Sequence, residues 1–128
     1  MKTLKHSRQR ESIKLFLQTR HDHPTADVVY QCIRKDFPNI SLGTVYRNLN
    51  LLVELGEVRK LAFGDGRDHF DWDVSLHYHF VCKSCGAVID LPMVPFAQAE
   101  ALTGACDVGE ITGHMVYFQG ICRECLQN

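Results

Sequence analysis

Residues 41–56, SLGTVYRNLNLLVELG, decide the fold of the N-terminal half of this 128-residue chain. Ser41 is a favourable N-cap, and Gly56 stands where the glycine that ends a helix belongs. Between them, apolar residues recur at helical spacing on one face: Leu42, Val45, Leu49, Leu52 and Val53. The stretch therefore predicts one amphipathic helix that buries this face.

The sequence on either side of this helix completes a winged helix-turn-helix. Upstream, Ser7 caps a first helix over about 8–20, and Thr25 caps a second helix that ends at Phe37-Pro38. Downstream, residues 58–63 and 68–72 predict two strands joined by a tight turn. Three helices followed by a hairpin are the order of elements in a winged helix-turn-helix.

The C-terminal half has a different pattern. Residues 76–82 and 87–91 predict strands, 92 to about 106 a helix, and 111–121 a long strand. We predict an α+β fold, with an N-terminal winged-helix domain over residues 1–73 and a C-terminal α/β domain over residues 74–128.

Charge is unevenly distributed although the net charge is −1. Residues 1–60 carry a net charge of +5 and residues 61–128 a net charge of −6. A basic N-terminal half fits a polyanionic partner, although chance scatter of charge is common in short chains. The first 20 residues lack the apolar core of a signal peptide, and no run approaches the ~20 apolar residues of a membrane span. We therefore expect a cytoplasmic protein with no membrane partner.

The polar face of the helix over 41–56 is a candidate DNA-binding surface. It carries Thr44, Tyr46, Arg47 and Asn50, whose hydroxyl, guanidinium and amide groups suit phosphate contacts. Arg47 also has the group that reads a guanine edge. Every amphipathic helix has a polar face, so the following hairpin and the basic N-terminal half are what favour DNA.

Two C-x-x-C pairs, Cys82 with Cys85 and Cys122 with Cys125, predict a structural zinc site. Four thiolates complete a tetrahedral Zn²⁺ site with no open position for a substrate. The alternative is a pair of redox-active dithiols or plain buried cysteines. Because the thiolates saturate the zinc and no nucleophile stands beside a base, we do not expect an enzyme.

His77 and His79 lie on the same face of a predicted strand and indicate a second metal site. Candidate partners are Asp71, Asp90 and His23, and such imidazole and carboxylate ligands suit Fe²⁺, Mn²⁺ or Zn²⁺. A pair of surface histidines is the alternative for this motif taken alone. The remaining histidines form no evident constellation: His6, His21, His69 and His114.

Together these motifs resemble those of the ferric uptake regulator family of metal-responsive repressors. The resemblance covers nearly the whole chain and includes HPTA at 23–26, TVYRNL at 44–49, HYHFVCKSCG at 77–86 and GICREC at 120–125. It implies a homodimer that binds a palindromic double-stranded DNA operator, with a C-terminal dimerisation domain. It implies structural Zn²⁺ at the four cysteines and regulatory Fe²⁺ or Mn²⁺ at five ligands: His23, Asp71, His77, His79 and Asp90. It also implies DNA contacts by Tyr46, Arg47 and, ahead of the first helix, Lys5.

Within the family the chain is most similar to the peroxide-sensing branch. Iron-responsive members tend to have glutamates where this chain has Asp71 and Asp90. A further metal site of that branch would need ligands at Leu76 and Tyr78, but leucine cannot bind a metal and tyrosine is a poor ligand. The resemblance thus implies a repressor that loses DNA when Fe²⁺-dependent oxidation modifies a ligand histidine, with His23 and His77 the matching positions. The alternatives are an iron- or zinc-responsive uptake repressor and, more remotely, a zinc-containing thiol redox protein.

Overall fold

The computed structural model describes residues 7–92 and 96–128 and divides the chain into two compact units, Met1–Val74 and Ser75–Asn128. Both helices and strands are present, and the predicted α+β class is confirmed. None of the helices in the described ranges is both long and apolar enough to cross a membrane.

The N-terminal unit has the predicted order of three helices and a hairpin. Its elements are α1 Arg8–Gln18, α2 Ala26–Ile33, α3 Leu42–Glu54, β1 Arg59–Ala62 and β2 Asp68–Asp71. The hydroxyls of Ser7 and Ser41 accept hydrogen bonds from the amides of Arg10 and Thr44, both at 3.1 Å, and so cap α1 and α3 as predicted. Thr25 occupies the N-cap position of α2 without a side-chain hydrogen bond.

One hydrophobic core holds this unit together. The predicted apolar face of α3 supplies Val45, Leu49 and Leu52, each at most 1% exposed. These side chains pack in one cluster with Ile13 and Leu17 of α1 and with residues of α2 and β2. Burial of each such side chain contributes about 1.5–3 kcal/mol, so α3 is fixed by its inner face and its outer face is left for other contacts.

The hairpin forms the wing and also binds the segment before α2. β1 and β2 are antiparallel, and Gly64 and Gly66 adopt φ of 82° and 78° in the turn between them. On the other side of β2, Thr25 forms a β-bridge with His69, and the amide of Phe70 donates to the carbonyl of Pro24 at 3.0 Å. Residues 23–25 are therefore held against the wing.

The C-terminal unit is built on a three-stranded sheet of order β4-β3-β7. Its strands are β3 Tyr78–Cys82, β4 Val88–Leu91 and β7 Tyr117–Gly120, with β3 antiparallel to β4 and parallel to β7. The other elements are the helix α4 Ala97–Glu100, the hairpin strands β5 Gly104–Cys106 and β6 Gly109–Ile111, and the helix α5 Arg123–Gln127.

Two sequence predictions for this unit are wrong. The helix expected over 92–106 is confined to Ala97–Glu100, and the single strand expected over 111–121 is replaced by two separate strands. The positive φ of Gly104, 120°, ends any helix before residue 104, and Gly109, with a φ of 141°, follows the turn that joins β5 to β6. Residues 112–116, which separate β6 from β7, belong to neither a helix nor a strand. Residues 93–95 of the expected helix lie outside the described residues.

Candidate metal centres and nucleic-acid interface

The four cysteines of the two C-x-x-C pairs form one cluster. The parallel pairing of Cys82 with Gly120 places the end of β3 beside the start of α5. The Sγ atoms of Cys82 and Cys125 are 3.8 Å apart, as are those of Cys85 and Cys122, and all four lie within 4.8 Å of one another. A tetrahedral zinc site with Zn–S bonds of about 2.3 Å has sulfurs about 3.8 Å apart, so this donor set fits structural zinc.

Backbone amides also donate hydrogen bonds to the cluster and favour the thiolate form of one cysteine. The amides of Cys122 and Cys85 donate to the Sγ of Cys82 at 3.3 and 3.4 Å. These hydrogen bonds, that of Cys122 first, lower the pKa of Cys82 from 9.0 to about 6 in spite of its burial. The lowered pKa favours the thiolate of Cys82, and a thiolate is the form that binds zinc.

A second group of candidate metal ligands lies at the other end of β3. The Nε2 atoms of His77 and His79 lie 3.1 and 3.3 Å from the same carboxylate oxygen of Asp90, which pairs with His79 across β3 and β4. The Nδ1 of His77 donates to the carbonyl of Ser75 at 2.8 Å, which orients its Nε2 toward Asp90. Two imidazoles and one carboxylate thus converge as expected for three of the five regulatory ligands.

The other two predicted ligands form a buried pair within the N-terminal unit. His23 Nε2 lies 3.2 Å from Asp71 Oδ2, and the side chains are 2% and 5% exposed. The second oxygen of Asp71 accepts from the amide of Asp73 at 3.0 Å. His23 has a φ of 55°, a left-handed conformation that costs a non-glycine residue on the order of 1–3 kcal/mol and is often retained at functional sites. That all five residues share one metal stays a prediction.

His69 is the residue that the sequence reasoning missed. Its ring is buried: Nδ1 donates to the carbonyl of His23 at 2.9 Å, and Nε2 donates to Asp65 Oδ2 at 2.8 Å. This hydrogen bond from His69, opposed by burial, lowers the pKa of Asp65. The sequence did contain a signal for this residue. Side chains alternate between the two faces of a strand, so His69 lies on the same face of β2 as the candidate ligand Asp71.

The outer face of α3 is accessible, as its predicted DNA-binding role requires. Tyr46 is 40% exposed, and Arg47 and Asn50 are exposed. The half-buried Thr44 accepts at Oγ1 from the Nη2 of Arg47 at 2.9 Å, which orients the guanidinium along the helix. Lys5 lies outside the described residues.

A winged-helix unit joined to a unit with a cysteine cluster and an imidazole–carboxylate group is the architecture of a metal-responsive DNA-binding regulator. The chain belongs to the ferric uptake regulator family, whose sequence profile matches residues 1–117. It is 38% identical over 117 residues to the peroxide-responsive repressor PerR of Staphylococcus aureus. This alignment covers 91% of this chain and 79% of that protein.

Solved structures agree with this membership. The Campylobacter jejuni peroxide stress regulator is similar with a TM-score of 0.71 and 33% identity, over 91% of this chain and 88% of that one. The ferric uptake regulator of Helicobacter pylori, described with three functional metal binding sites, gives a TM-score of 0.79 at 24% identity, over 98% of this chain and 84% of that one. The latter likeness supports the fold alone.

Proposed function

We propose that this metal-responsive repressor binds a palindromic operator as a homodimer when its regulatory site holds Fe²⁺ or Mn²⁺, and that it senses peroxide. The observation that carries the proposal is the presence of one ligand group in each unit, His23 with Asp71 in the DNA-binding unit and His77, His79 and Asp90 in the other. The 38% identity to a peroxide-responsive repressor supports the branch.

The two metals have different roles in this proposal. Zn²⁺ at Cys82, Cys85, Cys122 and Cys125 joins the C-terminal residues to β3 and is structural, because the closed thiolate set leaves no position for another ligand. Nitrogen and carboxylate ligands instead suit Fe²⁺ or Mn²⁺. A regulatory ion that takes ligands from both units favours one arrangement of the units, and this differential affinity couples metal to DNA binding.

The proposed peroxide sensing depends on the identity of the ligands. When bound, Fe²⁺ would activate hydrogen peroxide as a redox catalyst, with no net change in its own oxidation state. One oxygen atom of the peroxide replaces the hydrogen on a ring carbon of His23 or His77, and the other oxygen leaves as water. The oxidised ring is a poorer ligand, so the protein releases the metal and then the operator. Asp71 and Asp90, being short carboxylates, leave more space beside the imidazoles than glutamates do.

Homodimerisation is supported by an exposed apolar face on the C-terminal sheet. The register places Phe80 of β3 between Ile89 of β4 and Phe118 of β7 on one face. Ile89 and Phe118 are 45% and 41% exposed. Contiguous exposed apolar surface marks an interface. A second copy on this face would give two α3 helices, and half-sites about 34–36 Å apart are the operator spacing that such dimers read. Thr44, Tyr46, Arg47, Asn50 and Lys5 are the proposed contacts.

The test is metal-dependent binding of family-type operator DNA by the zinc-loaded protein. His23→Ala and His77→Ala should each abolish the binding that Mn²⁺ induces, because each removes one ligand of the regulatory metal. His21→Ala is the matched control, since His21 is exposed and outside both ligand groups. Undiminished Mn²⁺-dependent binding by either ligand variant contradicts the proposal.

A further inference from the structure

A chain of hydrogen bonds runs from the wing turn to the buried pair of His23 and Asp71. Asp65, in the turn, accepts from the amide of Arg67 at 3.1 Å through one oxygen and from His69 Nε2 at 2.8 Å through the other. His69 Nδ1 then donates to the carbonyl of His23 at 2.9 Å. His23 Nε2 faces Asp71 at 3.2 Å. All of these residues belong to the N-terminal unit.

The contacts of His69 hold this series of hydrogen bonds in one geometry. Its side chain is 6% exposed, its ring packs against Phe63 with centroids 5.5 Å apart, and its backbone bridges to Thr25. The residue that it holds, His23, has left-handed backbone geometry. The direction of a side chain depends on its backbone dihedrals, so a bond that fixes the His23 carbonyl also fixes where the His23 ring points.

We infer that His69 is a positioning residue: with Asp65 it ties the wing turn to the backbone of His23, so that the wing and this metal ligand move together. The inference rests on the proposed role of His23 as a ligand. It gives the wing a direct link to metal occupancy: an ion that immobilises His23 also immobilises the turn at 64–67, and loss of the ion releases it.

Two amide substitutions separate the two ends of the link. The amide nitrogen of asparagine is three bonds from Cα, like Nδ1, and that of glutamine is four bonds from Cα, like Nε2. His69→Asn can therefore still donate to His23 but not to Asp65, and His69→Gln has the opposite property. Asp65→Asn weakens the wing end alone. His21→Asn and His21→Gln are matched controls at an exposed histidine of the same unit.

The first measurement is the Mn²⁺ affinity of the zinc-loaded protein. His69→Gln should weaken Mn²⁺ binding about 10-fold or more, because groups that orient a metal ligand typically contribute 10–100-fold to affinity. His69→Asn should stay within about threefold of wild type, since the bond to His23 is retained. Equal affinities for His69→Gln and wild type, or equal losses in both variants, would overturn the positioning role. Zinc content and thermal unfolding identify a variant that has simply failed to fold.

The second measurement is hydrogen exchange at residues 64–67 in zinc-loaded protein without regulatory metal and with Mn²⁺. In wild type, Mn²⁺ should slow exchange in the turn. In His69→Asn and Asp65→Asn the turn should exchange several-fold faster in both states, with little effect of Mn²⁺. Unchanged exchange in these variants would refute the link. If His23→Ala keeps wild-type Mn²⁺ affinity, the proposed ligand role fails, while exchange in the metal-free state still decides whether Asp65 and His69 hold the wing.

Discussion

Removal of the structural zinc should unfold the C-terminal unit and leave the N-terminal unit folded. The two units differ sharply in their apolar cores. Among residues 75–92 and 96–128, the buried hydrophobic residues are Tyr78, Cys82, Val88 and Cys122, two of which belong to the proposed zinc site. The described part of the N-terminal unit instead contains a continuous core contributed by all three helices and the wing.

The magnitudes favour this outcome. Burial of Tyr78 and Val88 contributes about 1.5–3 kcal/mol each, or roughly 3–6 kcal/mol together. A structural zinc ion supplies about 10–16 kcal/mol, more than these two side chains together. Loss of zinc should therefore remove more free energy from this unit than its two buried apolar side chains provide, and the sheet should lose its order.

Hydrogen exchange read by mass spectrometry tests this prediction in the full-length protein. Chelation of zinc, or Cys125→Ser, should remove protection from β3, β4 and β7 while α1 and α3 keep theirs. Cys106→Ser is the matched control, because Cys106 is exposed and outside the cluster. Persistent protection of residues 78–82 and 117–120 in zinc-free protein would refute the reasoning, and so would loss of protection in Cys106→Ser.

Three further predictions concern the regulatory ligands, acid stability and DNA. Asp90→Glu should retain Mn²⁺-dependent operator binding but survive a peroxide pulse in the Fe²⁺ form; wild-type sensitivity in gel-shift assays would contradict this. The hydrogen bond from His69, opposed by burial, holds the pKa of Asp65 below its usual 3.8, so its stabilisation is present above that pH and lost as pH falls through the lowered pKa. In urea unfolding, the free energy of unfolding should therefore differ between wild type and Asp65→Asn at about pH 6 and differ much less at about pH 3. An equal difference at both pH values would refute the pairing of Asp65 with His69. Arg47→Ala should weaken operator binding about 10-fold or more without changing Mn²⁺ affinity, with the exposed Lys35→Ala as control; equal losses in the two variants would show a general charge effect.

The sequence predicted those elements whose information is local. The helix α3 has Ser41 at its N-cap and Gly56 directly after its C-cap, so its bounds followed from the chain itself. Of its predicted apolar face, Val45, Leu49 and Leu52 are buried, whereas Leu42 and Val53 are half-buried. The zinc cluster was equally accessible, because each C-x-x-C pair brings two sulfurs to one side by short-range geometry. The parallel pairing of β3 with β7 then brings the two C-x-x-C pairs together.

Other features depend on contacts that no local pattern encodes. The hairpin at 104–111 replaces part of an expected helix because Gly104 and Gly109 adopt positive φ, a conformation that glycine permits but does not require. His69 gained its role only when the segment before α2 packed beside β2 and brought the His23 carbonyl to its ring. Such pairings join residues that are 46 positions apart.

The most direct test of the proposed peroxide sensing follows one protein through one oxidant pulse. The zinc-loaded protein is bound to operator-type DNA with Fe²⁺ or with Mn²⁺, exposed briefly to hydrogen peroxide, and digested for mass analysis of the peptides that contain His23 and His77. The proposed mechanism predicts that only the Fe²⁺ form releases DNA and that one of these histidines gains one oxygen atom. DNA binding by the Fe²⁺ form that survives the pulse, with both histidines unmodified, would contradict it and identify a metal-uptake repressor of the same family.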